Sequence, residues 1–188
     1  MKDILLRKFA EEVADFKKVY LAGGIQHAKQ PNSWRDIISS FLKDNGKEGF
    51  NPVDDNSKIF NQSFLGYKND GTPITIEELQ DADEMKEALC FRQTEINDKK
   101  AIKECDIILF YYDERIGHGT MTEFDWACDW KKPIIVIRTI PRKSIAHWNK
   151  WRRWYRLNVE QNIVEFNSIQ DMKQFFVEYM YLKSDEEN

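Results

Sequence analysis

Apolar positions fall in two alternating rhythms along this chain. Ile4, Leu5, Phe9, Val13 and Phe16 recur at helical spacing and predict an amphipathic helix at the start. Val19–Ala22 is a short apolar run stopped by Gly23-Gly24, as a buried strand would be. Ser33 is a cap for a predicted helix over Trp34–Lys43, which ends near Asn45-Gly46. Gly49–Val53 predicts a second short strand. The polar stretch Asp54–Pro73 has no strong period and predicts a loop, of a length that lids and binding loops often have. Helical character resumes over Ile76–Glu104. Asp106–Tyr112 is the strongest strand signal, a continuous apolar run expected where both faces of a sheet are covered. A helix over Thr120–Trp130 and a strand at Pro133–Ile137 follow. A basic, tryptophan-rich helix over Ser144–Leu157, a strand at Asn162–Phe166 and a closing helix over Ile169–Leu182 complete the pattern.

Strands alternating with helices predict an α/β fold. The expectation is a single-domain, flavodoxin- or Rossmann-like three-layer sandwich around a mostly parallel sheet of about five strands. Residues 1–17 read as an N-terminal helical extension and 18–184 as the α/β domain. Ligands of such folds gather beyond the carboxyl ends of the strands, at the topological switch. Three predicted loops leave strands there: Gly23–Asn32, Pro52–Pro73 and Asp113–Thr120.

Composition narrows the class. A length of 188 residues suits one domain, and 41% hydrophobic with 13% aromatic residues opposes disorder. A formal net charge of −4 gives no reason to expect a nucleic acid polymer as partner. Cys90, Cys105 and Cys128 have no metal-like spacing and an odd count, so free thiols and no metal are expected. The segment MKDILLRKFAEEVADFKK is charged throughout and lacks the apolar core of a signal peptide. No apolar run approaches the ~18–20 residues needed to span a bilayer, so a cytoplasmic protein with no membrane partner is expected.

Three segments carry candidate chemistry. In AGGIQHAKQPNSWRD, Gly23 and Gly24 let backbone approach a ligand, or make a tight structural turn. The helix N-terminus that follows favours an anion, although neither GxGxxG nor a Walker loop is present. In NDKKAIKECD, Asp98 is either a solvated helix residue or an acid beside the sheet, and Asp106 reads as a strand-opening turn residue. In DERIGHGTMTEFDW, Glu123 stands just past a Gly-x-Gly-Thr turn. It is either an acid in the first turn of a helix, stabilised by the dipole by roughly 0.3–1 kcal/mol, or a carboxylate aimed into the pocket. Two carboxylates brought together there could divide the roles of nucleophile and acid or orienting group.

Together, VYLAGG with the following WRD, Asn51-Pro52, Asn97-Asp98 followed by the aspartate of CDIILF, and GTMTEFDWACDWKKPIIV resemble the nucleoside 2-deoxyribosyltransferase family and its nucleotide N-glycosidase relatives. The resemblance spans roughly residues 18–140. It implies an enzyme that cleaves an N-glycosidic bond, with Glu123 as the nucleophile that attacks the anomeric carbon. It implies that Asp98 positions nucleophile and sugar, and that Tyr20 hydrogen-bonds near the nucleophile. Gly23, Gly24, Ile25, Trp34, Arg35, Asn51 and Asp113 would contact substrate, and Gly119 and Thr120 would shape the sugar pocket. No metal or other cofactor is implied. The implied partners are a nucleoside or nucleotide, a free nucleobase acceptor in a transferase, and further copies of the chain in a homo-oligomer. One position departs from the pattern: the family's second acid precedes the nucleophile by about six residues, where this chain has Gly117. Asp113, Glu114 and His118 are the neighbouring alternatives for protonating the base.

Lys29, Ser33, Arg35, Arg92 and Arg115 are conceivable donors to a 5′-phosphate. HWNKWRRWYR, His147–Arg156, places Trp148, Trp151 and Tyr155 on one helical face and its arginines near the other. It suits packing or an oligomer interface, contact with a substrate phosphate, or nucleic acid. Two non-enzymatic classes stand beside the enzyme: a nucleotide-binding module without turnover, and a partner-binding scaffold built on the Trp/Arg helix.

Overall fold

A computed structural model describes residues 2–24, 33–54, 64–67, 73–75, 82–113, 117–139 and 162–180. In chain order its elements are α1 (Lys2–Glu12), β1 (Lys18–Gly23), α2 (Ser33–Asp44), β2 (Glu48–Phe50), β3 (Phe64–Tyr67) and β4 (Pro73–Thr75). There follow α3 (Ala82–Glu104), β5 (Ile107–Tyr112), α4 (His118–Asp129), β6 (Ile134–Arg138), β7 (Ile163–Phe166) and α5 (Ile169–Met180). The main sheet has five strands in the order β2-β1-β5-β6-β7, and every pairing within it is parallel. The chain steps from β1 outward to β2 and then back across to β5, so the topological switch lies between β1 and β5. This is the α/β sandwich expected from the alternation, and folds of this kind bind ligands beyond the carboxyl ends of the strands at the switch.

Strand alternation divides the core into two layers. Val19 and Leu21 of β1 pack with Ile107, Leu109, Ile135 and Ile137 against α1, α2 and α5. Tyr20 and Ala22 pack with Ile108, Phe110, Ile134 and Val136 against α3 and α4. Phe9 from α1 meets Phe175 edge-on at 6.1 Å, and Phe16 stacks on Phe176 at 5.7 Å. Ile4 and Leu5 depart from the predicted helix face: they are 69% and 58% exposed, and the buried stripe begins at Phe9.

The central polar stretch also differs from the prediction. Phe64–Tyr67 and Pro73–Thr75 form a two-stranded antiparallel ribbon where a structureless loop was expected. Aromatic residues give Phe64–Tyr67 its strand preference, and four residues are too few to show a period. The described part of α3 begins at Ala82 rather than Ile76. The predicted helix over Ser144–Leu157, with HWNKWRRWYR, lies outside the described residues.

The second strand ends sooner than predicted, at Phe50 instead of Val53. Asn51 accepts a hydrogen bond from the Val53 amide at 3.1 Å and donates to Asp54 at 3.0 Å, while Pro52 opens a helical turn. An Asn cap before a Pro in the first helical position turns the chain away from the sheet. Beyond Tyr20, the last residue of β1 paired with β2, β1 therefore runs on alone on that side.

At the end of β1 the packing leaves no space for a side chain. A Cβ on Gly23 would lie 2.8 Å from the Trp34 ring and 3.2 Å from the Tyr111 carbonyl oxygen. The Trp34 ring is stacked on Tyr111 at 4.7 Å and cannot move aside. Gly23→Ala is therefore expected to destabilise the protein by ~1–3 kcal/mol. Urea unfolding checks it as a fall in the midpoint at unchanged slope.

Candidate active site

Tyr20 carries its phenol across the α3/α4 face of the sheet, with none of the residue exposed to solvent. Its ring lies parallel to Phe50, 5.5 Å away, which fixes the direction of the hydroxyl. A buried phenol needs a partner. The Tyr20 hydroxyl donates to Glu123 Oε1 at 2.6 Å, a short O–H···O bond. Asp98 of α3 also bears on this phenol by charge and by hydrogen bonding. Tyr20, Asp98 and Glu123 come from β1, α3 and α4, separated widely in sequence and assembled at the switch.

The helical alternatives for both acids do not hold. The first residue of α4 is His118, so Glu123 lies in the second turn, where the dipole acts weakly, and it is only 7% exposed. Asp98 is 9% exposed and continues into the buried stripe of Ala101, Ile102 and Cys105. Asp106 keeps the structural role expected of it, accepting from the Lys17 and Lys18 amides at 2.7 and 3.0 Å.

Burial chiefly, and then the charge of Asp98, pushes the Glu123 carboxyl from 4.5 up to about 8. The Tyr20 hydroxyl and the positive charge of Arg35 act in the opposite direction. Tyr20 is held well above its ordinary 10, first by burial and then by the charges of Glu123 and Asp98. It therefore stays a proton donor throughout the neutral range. Burial lowers Arg35 from 12.5 to about 10, while Glu123, Tyr20, Asp54 and Asp113 support its charge. Arg35 remains a cation at neutral pH.

Arg35 is fully buried and lies where β2 has ended. Its Nε donates to the Leu21 carbonyl at 3.2 Å and its Nη2 to the Gly23 carbonyl at 2.9 Å. Its guanidinium also sits over the Trp34 ring at 4.4 Å. Arg35, one of the conceivable phosphate donors in the sequence, thus gives two of its donors to backbone carbonyls.

The remaining predicted residues divide. Asp113 is half-buried at the end of β5, Gly24 is half-buried, and Thr120 is buried in the first turn of α4. Gly119 is exposed, and a Cβ there would meet nothing within 4 Å. Trp34 packs on Tyr111, and Asn51 caps the turn after β2. Arg92 and Ser33 are exposed. Ile25, Lys29, Glu114, Arg115 and the side chain of His118 lie outside the described residues. Among the described residues no group of His, Cys, Asp or Glu could hold a metal ion, and no helix is long and apolar enough to cross a membrane.

The clamp between α3 and α4 had gone unnoticed in the sequence. Lys99 lies over Trp126 at 4.6 Å and Lys103 over Trp130 at 4.7 Å. Lys132 donates to the carbonyls of Lys103 and Cys105 at 2.6 and 2.8 Å. These contacts hold Asp98 and Glu123 in register. Their signal was a pair of lysines and a pair of tryptophans, each at i,i+4 spacing on neighbouring helices.

The shifted carboxyl gives a stability prediction. The unfolded chain releases the Glu123 proton near 4.5 and the folded protein only near 8, so the folded state binds more protons between those values. Stability contributed by this group is present below pH 4.5 and is lost as pH rises to about 8. Glu123→Gln keeps an acceptor for Tyr20 and cannot ionise. Its melting temperature should exceed that of the wild type by a margin that widens from pH 5 to pH 8, as measured by calorimetry across that range. A constant margin would remove the buried carboxyl as its source.

A search of the curated proteins returned no match. Among solved structures, Clostridium botulinum CMP N-glycosidase, BcmB, is similar at 19% identity and a TM-score of 0.48, covering 84% of this chain and 95% of that one. A 2-deoxyribosyltransferase from Bacillus psychrosaccharolyticus gives 16% and 0.48, over 83% and 90% of the two chains. The solution structure of BlsM gives 17% and 0.49, over 93% and 96%. The family model described as nucleoside 2-deoxyribosyltransferase matches residues 19–169, most of the chain. On that match, the chain belongs to the nucleoside 2-deoxyribosyltransferase family.

Proposed function

We propose that this protein cleaves the N-glycosidic bond of a (deoxy)nucleoside or nucleotide and transfers the sugar to a second base, through a covalent glycosyl-Glu123 intermediate. The observation that carries the proposal is the buried Glu123 carboxyl, oriented at 2.6 Å by Tyr20 beside Asp98 at the topological switch. Membership of the family supports the same reaction class.

In the first step a Glu123 oxygen attacks the anomeric carbon. The bond to the base breaks, its electron pair stays on the base nitrogen, and that nitrogen takes up a proton. We assign that proton transfer to Asp113, half-buried at the end of β5. In the second step a nitrogen of the acceptor base attacks the same carbon and gives up its proton, and the Glu123 carboxylate leaves. Two inversions give retention overall. Tyr20 holds the reacting carboxyl in one orientation, and Asp98 disfavours its resting charge, which makes the ionised form a stronger nucleophile.

Incubation with deoxynucleosides and deoxynucleotides, with and without a free base, tests the assignment. Exchange that requires the added base is expected. Base release without an acceptor would make the protein a hydrolase in which water takes the second step, and binding without turnover would make it a non-catalytic module. Glu123→Ala should lower exchange by at least a thousandfold while the circular dichroism spectrum stays unchanged. For the wild type, kcat/KM should rise with pH through a limb near 8, the value of the free carboxyl. A flat profile from pH 6 to 9 would separate Glu123 ionisation from catalysis.

A further inference from the structure

Two side-chain polar atoms among the described residues are buried without a hydrogen-bond partner there, Thr94 Oγ1 and Asn162 Nδ2. Asn162 precedes β7, at the amino end of the sheet and away from the switch. Thr94 lies on α3 one turn before Asp98, and residues four apart on a helix share a face. That face continues through Ala101, Ile102 and Cys105, which pack in the layer that holds Tyr20 and Phe124. Arg92, Glu95 and Ile96, turned from it, are exposed. The C-terminal end of α3 leads into the amino end of β5, so earlier residues of the helix stand nearer the carboxyl ends of the strands. At 1.5 Å per residue, Thr94 is about 6 Å beyond Asp98 toward the side from which such folds take their ligands. A helical threonine commonly returns its hydroxyl to the carbonyl four residues back, and Thr94 does not.

A buried hydroxyl left unpaired is unfavourable, and beside a proposed catalytic acid it marks a place that a ligand completes. We infer that Thr94 is a specificity-determining residue whose hydroxyl bonds a ring hydroxyl of the bound sugar, shared with Asp98. The inference rests on the substrate class of the proposed reaction and adds the contact that selects the sugar. An ionised carboxylate only accepts hydrogen bonds, and the Tyr20 proton is already given to Glu123. Thr94 brings a group that can donate as well as accept. A sugar hydroxyl can donate to the Asp98 carboxylate and accept from Thr94 at once. Side chains four apart on a helix hold their Cβ atoms about 5–6 Å from each other, a span that one oxygen can bridge. The anomeric carbon must meet Glu123, so the ligand atoms beside Asp98 and Thr94 belong to the same ring.

The test is binding, measured by titration calorimetry in a Glu123→Ala background so that no glycosidic bond is broken. The probes are the common nucleosides and their 5′-monophosphates, each in ribo, 2′-deoxy, 3′-deoxy and 2′,3′-dideoxy form. Thr94→Val keeps the shape and removes the hydroxyl. It should weaken the forms that carry the contacted sugar hydroxyl about three- to tenfold, and leave the forms that lack it bound as before. Thr94→Ser should recover most of the affinity. Ligand-free Thr94→Val should melt no lower than the parent protein, because valine fills the same place and leaves no polar atom unpaired. A lower melting temperature would give the hydroxyl a structural role and overturn the inference. So would affinities unchanged for every form, affinities weakened equally for all of them, or no recovery with serine. If the sugar-dependent loss is seen but the wild type turns nothing over, the proposed reaction falls and this contact stands. Turnover without that loss does the reverse, and failure to bind any probe removes both.

Discussion

A carboxyl group shut away from water must be held by something, and here the holder is the phenol of Tyr20. The 2.6 Å bond to Glu123 fixes the distance between β1 and α4, and the ring behind it is pressed on Phe50 of β2. Three elements are thereby tied to one proton. Asp98 joins from α3, and α3 is clamped to α4 by the two lysine–tryptophan pairs further along the helices. The two-layer core brings these elements close, while the phenol sets which oxygen points where.

The edge of β1 shows how local constraints accumulate around that bond. Asn51 and Pro52 end β2 at Phe50, which strips β1 of a neighbour just past Tyr20. Unpaired carbonyls in a buried place are unfavourable, and Arg35 supplies the missing donors. The guanidinium in turn rests on Trp34, whose ring covers Gly23 so closely that no Cβ fits. A glycine that reads in sequence as a ligand-facing turn is thus also a packing requirement of the arginine's support.

Much of this was legible in the sequence, for identifiable reasons. Long apolar runs such as Ile107–Tyr112, and strands alternating with helices, specify a parallel sheet with little ambiguity. Glu123, Asp98 and Tyr20 were nameable from their motifs, and the structure brings them together. What escaped was anything that depends on distance between segments. Asp98 on its own read more readily as a solvated helix residue, because its burial depends on neighbours distant in sequence. Arg35 looked like a phosphate donor, because nothing in WRD records that β2 stops short. The ribbon of Phe64–Tyr67 with Pro73–Thr75 escaped because strands of four and three residues carry too few positions for a period. Ile4 and Leu5 fitted the helical stripe but lie beyond the surface that α5 offers.

In the proposed reaction the dryness of the site acts on both steps. It raises Glu123 and so leaves roughly a tenth of it ionised at pH 7, which slows attack unless binding favours the charged form. Once the ester forms, the same dryness protects it, since a carboxyl only 7% exposed leaves water little access to the anomeric carbon bonded to it. Within that proposed reaction, burial of the nucleophile argues for a base as the acceptor.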